Sequence, residues 1–481
     1  MIPLNGFSPD ADPTTPGIIT DCTNFVPYLT GMEGGPSEIT PTGVPVLAAE
    51  CRGGAVITKL DGTRRTFAGT AAALFELSGG SWVDRSDTGG YALGAETRWT
   101  FAQFGDSTLA TAQGTTIQRS TTGSFAAIAG APEADIIFTV GAFVMALNTN
   151  DGSDKFDGWH CCAAFDDTSW SPSITTQAAK GRLVSSPGAL TAGARLGEYA
   201  VAYKTRSIFL GQYVGAPAVW DWIPVAGGDV GCVGKDALCD IGNVHFFVGE
   251  DNFYVFDGTA PIPVADNQVR QWFYNNSSPE LRYKIKCVYD RQNDRVWIFY
   301  PSKNAGDCDS ALVWHVKAKR WGRADRAIQA ALNYISAATT YDTLSSVSAT
   351  YDALPSVAYD SQYWLAGGRS LSVVTPSRQL VVLDGASTSS SFTTGEYGDD
   401  DALSLLKRVR LRYADAPTTA SCTVRYSMNS GTTFTTGATG AMDDGKFDVL
   451  QTGRWHQATV SFTGDVQVTG IKAEFVPSGM R

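Results

Sequence analysis

Residues 199–224 read YAVAYKTRSIFLGQYVGAPAVWDWIP, and residues 245–264 read HFFVGEDNFYVFDGTAPIPV. In both stretches, short apolar runs or alternating apolar and polar residues are interrupted by Gly, Asp, Asn and Pro. Runs of this kind predict β-strands joined by hairpins. The two units follow each other at a short interval, and such recurrence is typical of propeller blades. Neither unit carries a side chain suited to catalysis.

The same pattern extends over the middle of the chain. Strand-like runs with hairpin turns occur at 54–83, 99–128, 136–170 and 285–321, and a last set ends at Asp384-Gly385. A chain of 481 residues exceeds the usual size of one compact core, and a closed repeat architecture accommodates that length. We therefore predict an all-β fold whose main body, residues 47–386, is a β-propeller of six or seven blades.

Two regions of different composition flank this body. Residues 1–46 are rich in Pro, Gly and Thr, and we predict an extended N-terminal arm that lies on the body or on a neighbouring subunit. A Ser/Thr/Gly run after Ser387 is interpreted as a linker. Four or more alternating strands follow, so residues 387–481 are predicted to form a small C-terminal β-sandwich.

Two segments interrupt the strand pattern inside the body. Residues 268–281 place apolar side chains at helical spacing, which predicts a short helix. Residues 340–360 repeat the motif Tyr-Asp-x-Leu at Tyr341 and Tyr351, with a further Tyr-Asp at Tyr359. This repeat is too polar for a buried strand. We predict a loop insertion whose three tyrosines are candidate contacts with another subunit.

The charge balance limits the classes of partner. A formal charge of -11 argues against a protein that grips nucleic acid, because binding DNA requires Lys and Arg to release its counterions. An acidic wall instead repels phosphate, which suits a conduit through which DNA slides. The triple Asp399, Asp400 and Asp401 is the candidate acidic channel or surface loop, although adjacent acids are more often simply solvated.

No arrangement in the sequence predicts chemistry. The four histidines lie inside apparent strands without metal-ligand spacing, and a structural role is favoured. Nine scattered cysteines without a C-x-x-C pair are interpreted as buried thiols of a reducing compartment. Residues 427–434, SMNSGTTF, are similar to the Asp-box turn of sialidases and are interpreted as a hairpin turn. We predict no catalytic, cofactor-binding or metal-binding residue, and we predict that the protein is not an enzyme.

The start of the chain has neither a basic region nor an apolar region typical of a signal peptide. No later window approaches the roughly 20 apolar residues that span a bilayer. We therefore expect a soluble protein without a membrane span, made in the cytosol.

Short segments spread over nearly the whole chain form a further pattern: LNGFSPD at 4–10, GMEGGPS at 31–37, GQYVG at 211–215, GCVG at 231–234, FVG at 247–249, DG at 257–258, the Tyr-Asp-x-Leu repeat and GRWH at 453–456. In these segments the chain resembles the tail accessory, or nozzle, proteins of short-tailed bacteriophages. It implies a β-propeller subunit of a virion tail, made in the host cytoplasm and assembled as a ring of six. Its implied partners are a portal-adaptor ring above, tail fibres or spikes, and double-stranded DNA that passes without sequence-specific binding.

Two alternatives remain open at this point. The first is a propeller glycoside hydrolase or lyase that acts on host surface polysaccharide, for which acidic pairs such as Asp166-Asp167 could flank a glycosidic bond. The second is a carbohydrate-binding adhesin. Abundant tryptophans could line a sugar-binding groove, although packing between sheets needs one or two per blade.

Overall fold

The computed structural model describes residues 1–41, 43–335, 350 and 369–480. Tyr341, Tyr351 and Tyr359, the candidate subunit contacts, therefore lie outside the described residues. The described part begins with six short strands: β1 (Ile2–Pro3), β2 (Gly6–Phe7), β3 (Ile18–Thr23), β4 (Phe25–Tyr28), β5 (Gly31–Gly34) and β6 (Ser37–Ile39).

Antiparallel meanders of four strands then follow one another along the chain. Blade 1 contains β7 (Gly54–Thr58), β8 (Arg64–Gly69), β9 (Leu74–Ser78) and β10 (Ser81–Asp84). Blade 2 contains β11 (Thr100–Phe104), β12 (Ser107–Thr111), β13 (Gln118–Ser120) and β14 (Ala126–Ala127). Blade 3 contains β15 (Glu133–Val140), β16 (Phe143–Asn150), β17 (Asp154–Cys161) and β18 (Ala179–Arg182).

The stretches quoted at the outset form the next two blades. Blade 4 contains β19 (Leu190–Leu196), β20 (Tyr199–Lys204), β21 (Ile208–Gly215) and β22 (Val219–Pro224). Blade 5 contains β23 (Leu238–Asp240), β24 (His245–Val248), β25 (Phe253–Phe256) and β26 (Pro261–Pro263). The predicted short helix follows as α1 (Arg270–Asn276), with a 3-10 turn at Pro279–Lys284.

The last two meanders complete the ring. Blade 6 contains β27 (Lys286–Asp290), β28 (Arg295–Tyr300), β29 (Ser310–His315) and β30 (Arg320–Ala324). Blade 7 contains β31 (Ala330–Ile335), β32 (Arg369–Val374) and β33 (Leu380–Gly385). Its fourth strand is β6, which pairs with the outer side of β33, so a strand from the start of the chain completes the last blade.

The innermost strands of these blades surround one axis. Contacts between neighbouring inner strands link β7 to β11, β11 to β15 and β15 to β19. They also link β23 to β27 and β27 to β31, and β31 in turn contacts β7. In the described part, six blades are separate four-stranded sheets, whereas β30 of blade 6 is joined by one residue pair to β4. The predicted all-β propeller of six or seven blades is confirmed.

The C-terminal region is a sandwich of two sheets. Its strands are β34 (Ser389–Thr394), β35 (Tyr397–Gly398), β36 (Ala402–Asp415), β37 (Thr419–Ser427), β38 (Thr435–Asp443), β39 (Lys446–Gly453), β40 (Trp455–Thr463) and β41 (Gln467–Met480). One sheet contains β34, β40 and β37, the other contains β39, β36 and β41, and β38 pairs with both. Phe392, Phe462 and Tyr413 pack between them.

The interpretation of the Ser/Thr/Gly run as a linker is wrong. Residues 389–394 form a strand that pairs with β3 on one side and β40 on the other. Ser390, Phe392 and Thr394 are buried in alternation, so the small hydroxyl residues fill a crowded position inside the sandwich. The period-two pattern was hidden because only one of the three inward residues is apolar.

The segment predicted as an arm is built into the body. β1 and β5 extend the sheet of β41, and β3 extends the sheet of β34. Phe25 stacks on Phe392, with ring centroids 5.2 Å apart. The start of the chain thus contributes to both the sandwich and the last blade, while the exact domain boundaries of the sequence stay a prediction.

Propeller and sandwich share one apolar core. It runs from blades 4 and 5 through blade 6 and the N-terminal strands into the sandwich. Within this core, Phe7 of β2 meets Trp272 of α1 edge to face at 5.0 Å, and Trp321 of blade 6 packs on Phe253 of blade 5 at 5.1 Å. Continuous packing of this kind favours a rigid body. None of the helices among the described residues is long and apolar enough to cross a bilayer.

Candidate functional site

The propeller axis carries a charged cavity of about 300 Å³. We place it at the axis because most of its lining residues come from the starts of the inner strands and the loops just before them. Its charged lining residues are Glu96, Arg98, Asp135, Lys235, Asp236, Lys284 and Lys286. This set belongs to blades 2, 3, 5 and 6, which lie on different sides of the axis.

Ion pairs cross this cavity from one blade to another. Lys284, just before blade 6, lies 2.9 Å from a carboxylate oxygen of Glu96, just before blade 2. Lys235 of blade 5 lies 2.8 Å from the Asp135 carboxylate of blade 3, and its Nζ also donates to the Arg98 carbonyl at 2.7 Å. These contacts join blades that are far apart in the sequence.

Neighbouring blades are joined in the same way. Lys286 of blade 6 lies 3.0 Å from the carboxylate of Asp236, in the segment before β23 of blade 5. Burial raises the pKa of Asp236, but Lys286 and Lys235 outweigh it, so this pKa is below its ordinary value. The Lys284 hydrogen bond lowers the pKa of Glu96. The lowered pKa values of Asp236 and Glu96 favour the charged form of these two carboxylates.

The arrangement of charges around this cavity suits a structural role, in which ion pairs hold the blades together. The cavity is far too small for a nucleic-acid duplex, whose major groove alone is about 12 Å wide. The Lys284 ammonium illustrates how fully the charges are used, because it also contacts Asp307 at 3.1 Å and the Gly306 carbonyl at 2.9 Å. The ion pairs at the axis thus link the blades.

The predicted acidic residues lie in an exposed turn between β35 and β36. Asp399, Asp400 and Asp401 are all exposed. The Asp401 backbone N–H donates to the Asp399 carboxylate at 2.9 Å, and the Trp455 indole N–H donates to the Asp400 carboxylate at 2.6 Å. In the part of the chain that the structure describes, no Lys or Arg forms an ion pair with them. The turn is ordered by hydrogen bonds while its negative charge stays uncompensated.

The histidines take part in local hydrogen bonds. His245 lies between the Tyr203 hydroxyl, at 2.8 Å, and the Arg195 carbonyl, at 2.9 Å. His160 contacts the Trp170 carbonyl at 2.7 Å. Burial lowers the pKa of both imidazoles, which favours their neutral form. Their contacts match the structural role that the sequence favoured.

The cysteines are mostly buried. Eight of the nine are buried, as predicted, whereas Cys239, which was also interpreted as a buried thiol, is half-buried. Burial raises the pKa of Cys51 and Cys308 to about 11, so these thiols stay protonated. Within the described ranges, no group of three His, Cys, Asp or Glu side chains could hold a metal ion.

The Asp-box-like segment is a turn, as predicted. It connects β37 to β38, and the Asn429 amide oxygen accepts from the Thr433 backbone N–H at 3.2 Å. Asn429 also donates to the Thr433 hydroxyl at 2.9 Å. The Asn429 side chain therefore orders the hairpin.

Sequence reasoning missed the axial ion pairs. Glu96 and Lys284 are nearly two hundred positions apart, and only closure of the ring brings them together. One signal was present, because Arg98, Lys235 and Lys284 each lie within three residues of the start of an inner strand. A charge at that recurrent position could have indicated a charged axis.

Comparisons with known proteins assign this chain to no family and give only distant structural similarities. No family model matches the chain, and no curated protein does. A solved structure of YCF48 bound to a D1 peptide is similar, with a TM-score of 0.34 and 12% identity, over 62% of this chain and 86% of that one. The structure of BBS1N in complex with ARL6DN is similar with a TM-score of 0.33 and 8% sequence identity, over 63% of this chain and 94% of that one. The structure of human WBSCR16 is similar with a TM-score of 0.31 and 10% sequence identity, over 60% of this chain and 85% of that one.

Proposed function

We propose that this chain is a structural virion protein of a short-tailed bacteriophage. Six copies form a ring, the tail nozzle, which retains the packaged DNA and provides the channel for its ejection. The protein is not an enzyme in this proposal. Its partners are other copies of itself, the portal-adaptor ring above, tail fibres or spikes, and the passing duplex.

The observation that carries the proposal is the mechanical continuity of the body. One N-terminal segment extends both sheets of the sandwich and completes blade 7. Arg295 of blade 6, almost fully buried, forms an ion pair with Glu33 of β5, so the same segment is also fixed to the propeller. A subunit that must withstand the pressure of packaged DNA requires such cross-connection.

The distribution of charge supports a channel between copies. The propeller axis is crossed by ion pairs, so in this proposal the duplex passes through the centre of the ring of subunits. From Met1 to Cys51 the chain contains no Lys or Arg, and Asp12 and Glu38 are exposed there without an ion pair among the described residues, while the turn at 399–401 adds three exposed acids. Acidic surfaces repel phosphate and would let the duplex slide.

Reconstitution tests the proposal. Purified protein is mixed with portal-adaptor complexes prepared from virions of short-tailed phages, and the products are separated by sedimentation. We expect the chain to co-sediment at a fixed ratio of copies to adaptor rings. Failure to bind, combined with release of reducing sugar from host envelope or a specific glycan-array signal, would instead establish the glycosidase or adhesin reading.

A further inference from the structure

The outward face of the sheet β39–β36–β41 carries a run of cations. Along the long strand β36, Val409 and Leu411 point into the sandwich and are buried. Arg408, Arg410 and Arg412, which alternate with them, therefore point outward. The chain as a whole has a net charge of -11, so three arginines at alternate positions of one strand form a local patch of positive charge on an acidic protein.

Three cations on this face stand directly opposite one another. Arg410 of β36 is in register with Lys446 of β39 on one side and with Lys472 of β41 on the other. We call Lys446, Arg410 and Lys472 the cation row. Adjacent strands are about 4.8 Å apart, and like charges directly opposite each other destabilise a sheet. Such a row needs compensating negative charge.

Compensation inside the subunit is weak. Each member of the cation row has one acidic contact, and all of these acids belong to the same face or to the turn beside it: Lys446 with Asp443 at 3.6 Å, Arg410 with Asp444 at 3.9 Å and Lys472 with Glu474 at 3.1 Å. Arg408, two positions before Arg410 on β36, has two acidic contacts instead of one: Asp448 at 2.6 Å and Glu474 at 3.9 Å. Arg412 has no ion pair among the described residues.

The complementary charge lies at the other end of the same strand. β36 begins at Ala402, directly after the acidic turn of Asp399, Asp400 and Asp401. Arg410 follows Asp401 by nine positions, which corresponds to about 30 Å along a strand. One rigid element thus displays uncompensated negative charge at one end and a cation row towards the other.

We propose that the cation row is the docking surface for the acidic turn of a second copy of this chain. Neighbouring copies then associate head to tail, through a heterologous contact that repeats around the ring. Opposite charges orient the encounter and fix the register of the two sandwiches. This inference rests on the proposed function, because it specifies the contact between the copies of that ring.

The surroundings of the cation row favour a protein turn over nucleic acid. Asp443, Asp444, Asp448 and Glu474 surround the row on the same side of the sheet. A duplex would bring many phosphates against these carboxylates and be repelled. A compact turn with three carboxylates can contact the row alone. The choice between these occupants is one outcome of the test below.

Two charge-reversed variants test the contact. The first carries Asp399→Lys and Asp401→Lys, which spares Asp400 and its bond to Trp455. The second carries Lys446→Glu, Arg410→Glu and Lys472→Glu. We expect each variant alone to join adaptor rings at least ten-fold less efficiently than the unchanged protein. An equimolar mixture should restore assembly, because the reversed turn meets the reversed row and the native turn meets the native row in alternate copies.

Controls separate charge from folding. Arg291→Glu, Lys303→Glu and Lys319→Glu change the net charge equally on exposed propeller positions and should assemble normally. Lys446→Gln, Arg410→Gln and Lys472→Gln remove the repulsion within the row. This neutral variant should melt at the same or a higher temperature, yet assemble less well than the unchanged protein.

Each remaining outcome overturns a defined part of the account. If the unchanged protein does not join adaptor rings, the proposed function is wrong, and so is the contact between the cation row and the acidic turn, which depends on it. If the unchanged protein joins and the reversed variants join equally well, only the contact is wrong. A mixture that stays unassembled also contradicts it. If the row-reversed variant assembles but loses binding to duplex DNA in a filter assay, the row is a DNA contact instead.

Discussion

The charges at the propeller axis and those at the acidic turn differ in a way that separates folding from recognition. At the axis, Lys284 and Lys286 are 11% and 9% exposed, and each contacts a carboxylate of another blade or loop. At the turn, Asp399 and Asp401 are exposed and form no ion pair with a described cation. Charges of the first kind hold this fold together. Charges of the second kind are available to a partner.

The strongest test of this comparison uses a charge that is buried and paired within one blade. Arg65 and Glu76 of blade 1 form two hydrogen bonds, at 2.6 and 3.1 Å, and both side chains are buried. Arg65→Ala leaves a buried carboxylate with less compensation and should cost about 3–5 kcal/mol of unfolding free energy. Urea denaturation measures the loss. Arg64→Ala, on the same strand but exposed, is the matched control and should cost less than about 0.5 kcal/mol.

A smaller effect is expected at the axis, where the acids are partly open to water. Lys286→Met removes the ion pair with Asp236, whose side chain is 36% exposed. We expect a loss of about 2 kcal/mol, less than for a fully buried pair. Lys303→Met, at an exposed position, serves as the control for removing a lysine. Equal stability of the two variants would show that the axial ion pairs do not join the blades.

The pH dependence sharpens the same point. The pKa of Glu96 is lowered by its hydrogen bond to Lys284, so the pair contributes stability above the ordinary pKa of a glutamate, about 4.3, and loses it as the pH falls through the lowered value. Because Glu96 is about half exposed, we expect less than about 1 kcal/mol. Unfolding is measured from pH 7 to pH 3 for the protein and for Glu96→Gln. The variant should show the shallower decline, and parallel curves would contradict the prediction.

The smallest effect is expected at the acidic turn. Asp399→Asn with Asp401→Asn removes two exposed, unpaired charges while keeping the amide oxygens that can accept hydrogen bonds. The unfolding free energy should change by less than about 0.5 kcal/mol. Thermal melts would detect a larger change. A marked loss of stability would mean that the turn serves the fold and would remove the contrast with the axis.

The sequence predicts the strands with a clear apolar pattern and misses those without one. β20 was predicted from its alternating residues, and β24 and β25 were predicted from short apolar runs bounded by turn residues. The inner strand β19 was missed because it is made of small residues. Its Gly193 is required by packing, since a Cβ there would lie 2.3 Å from a methyl carbon of Leu147 in blade 3. Close packing between neighbouring blades favours small side chains here, and small side chains carry little pattern.

The acidic turn and the cation row differ in the same way in how far the sequence predicts them. The triple acid of the turn was visible as a run of letters, and the structure places it on the surface. The cation row was invisible, because Arg410, Lys446 and Lys472 are separated in sequence and meet only through strand register. Register depends on the whole sheet and cannot be read from one strand. The role of Tyr341, Tyr351 and Tyr359 stays a prediction.

Electron microscopy of reconstituted tails tests the central claim most directly. Adaptor rings are mixed with the purified protein, and class averages viewed along the tail axis are examined for added density. The account predicts a ring of six copies around an open channel wide enough for a duplex. Adaptor rings that remain unchanged at saturating protein, with the chain staying monomeric, would contradict it.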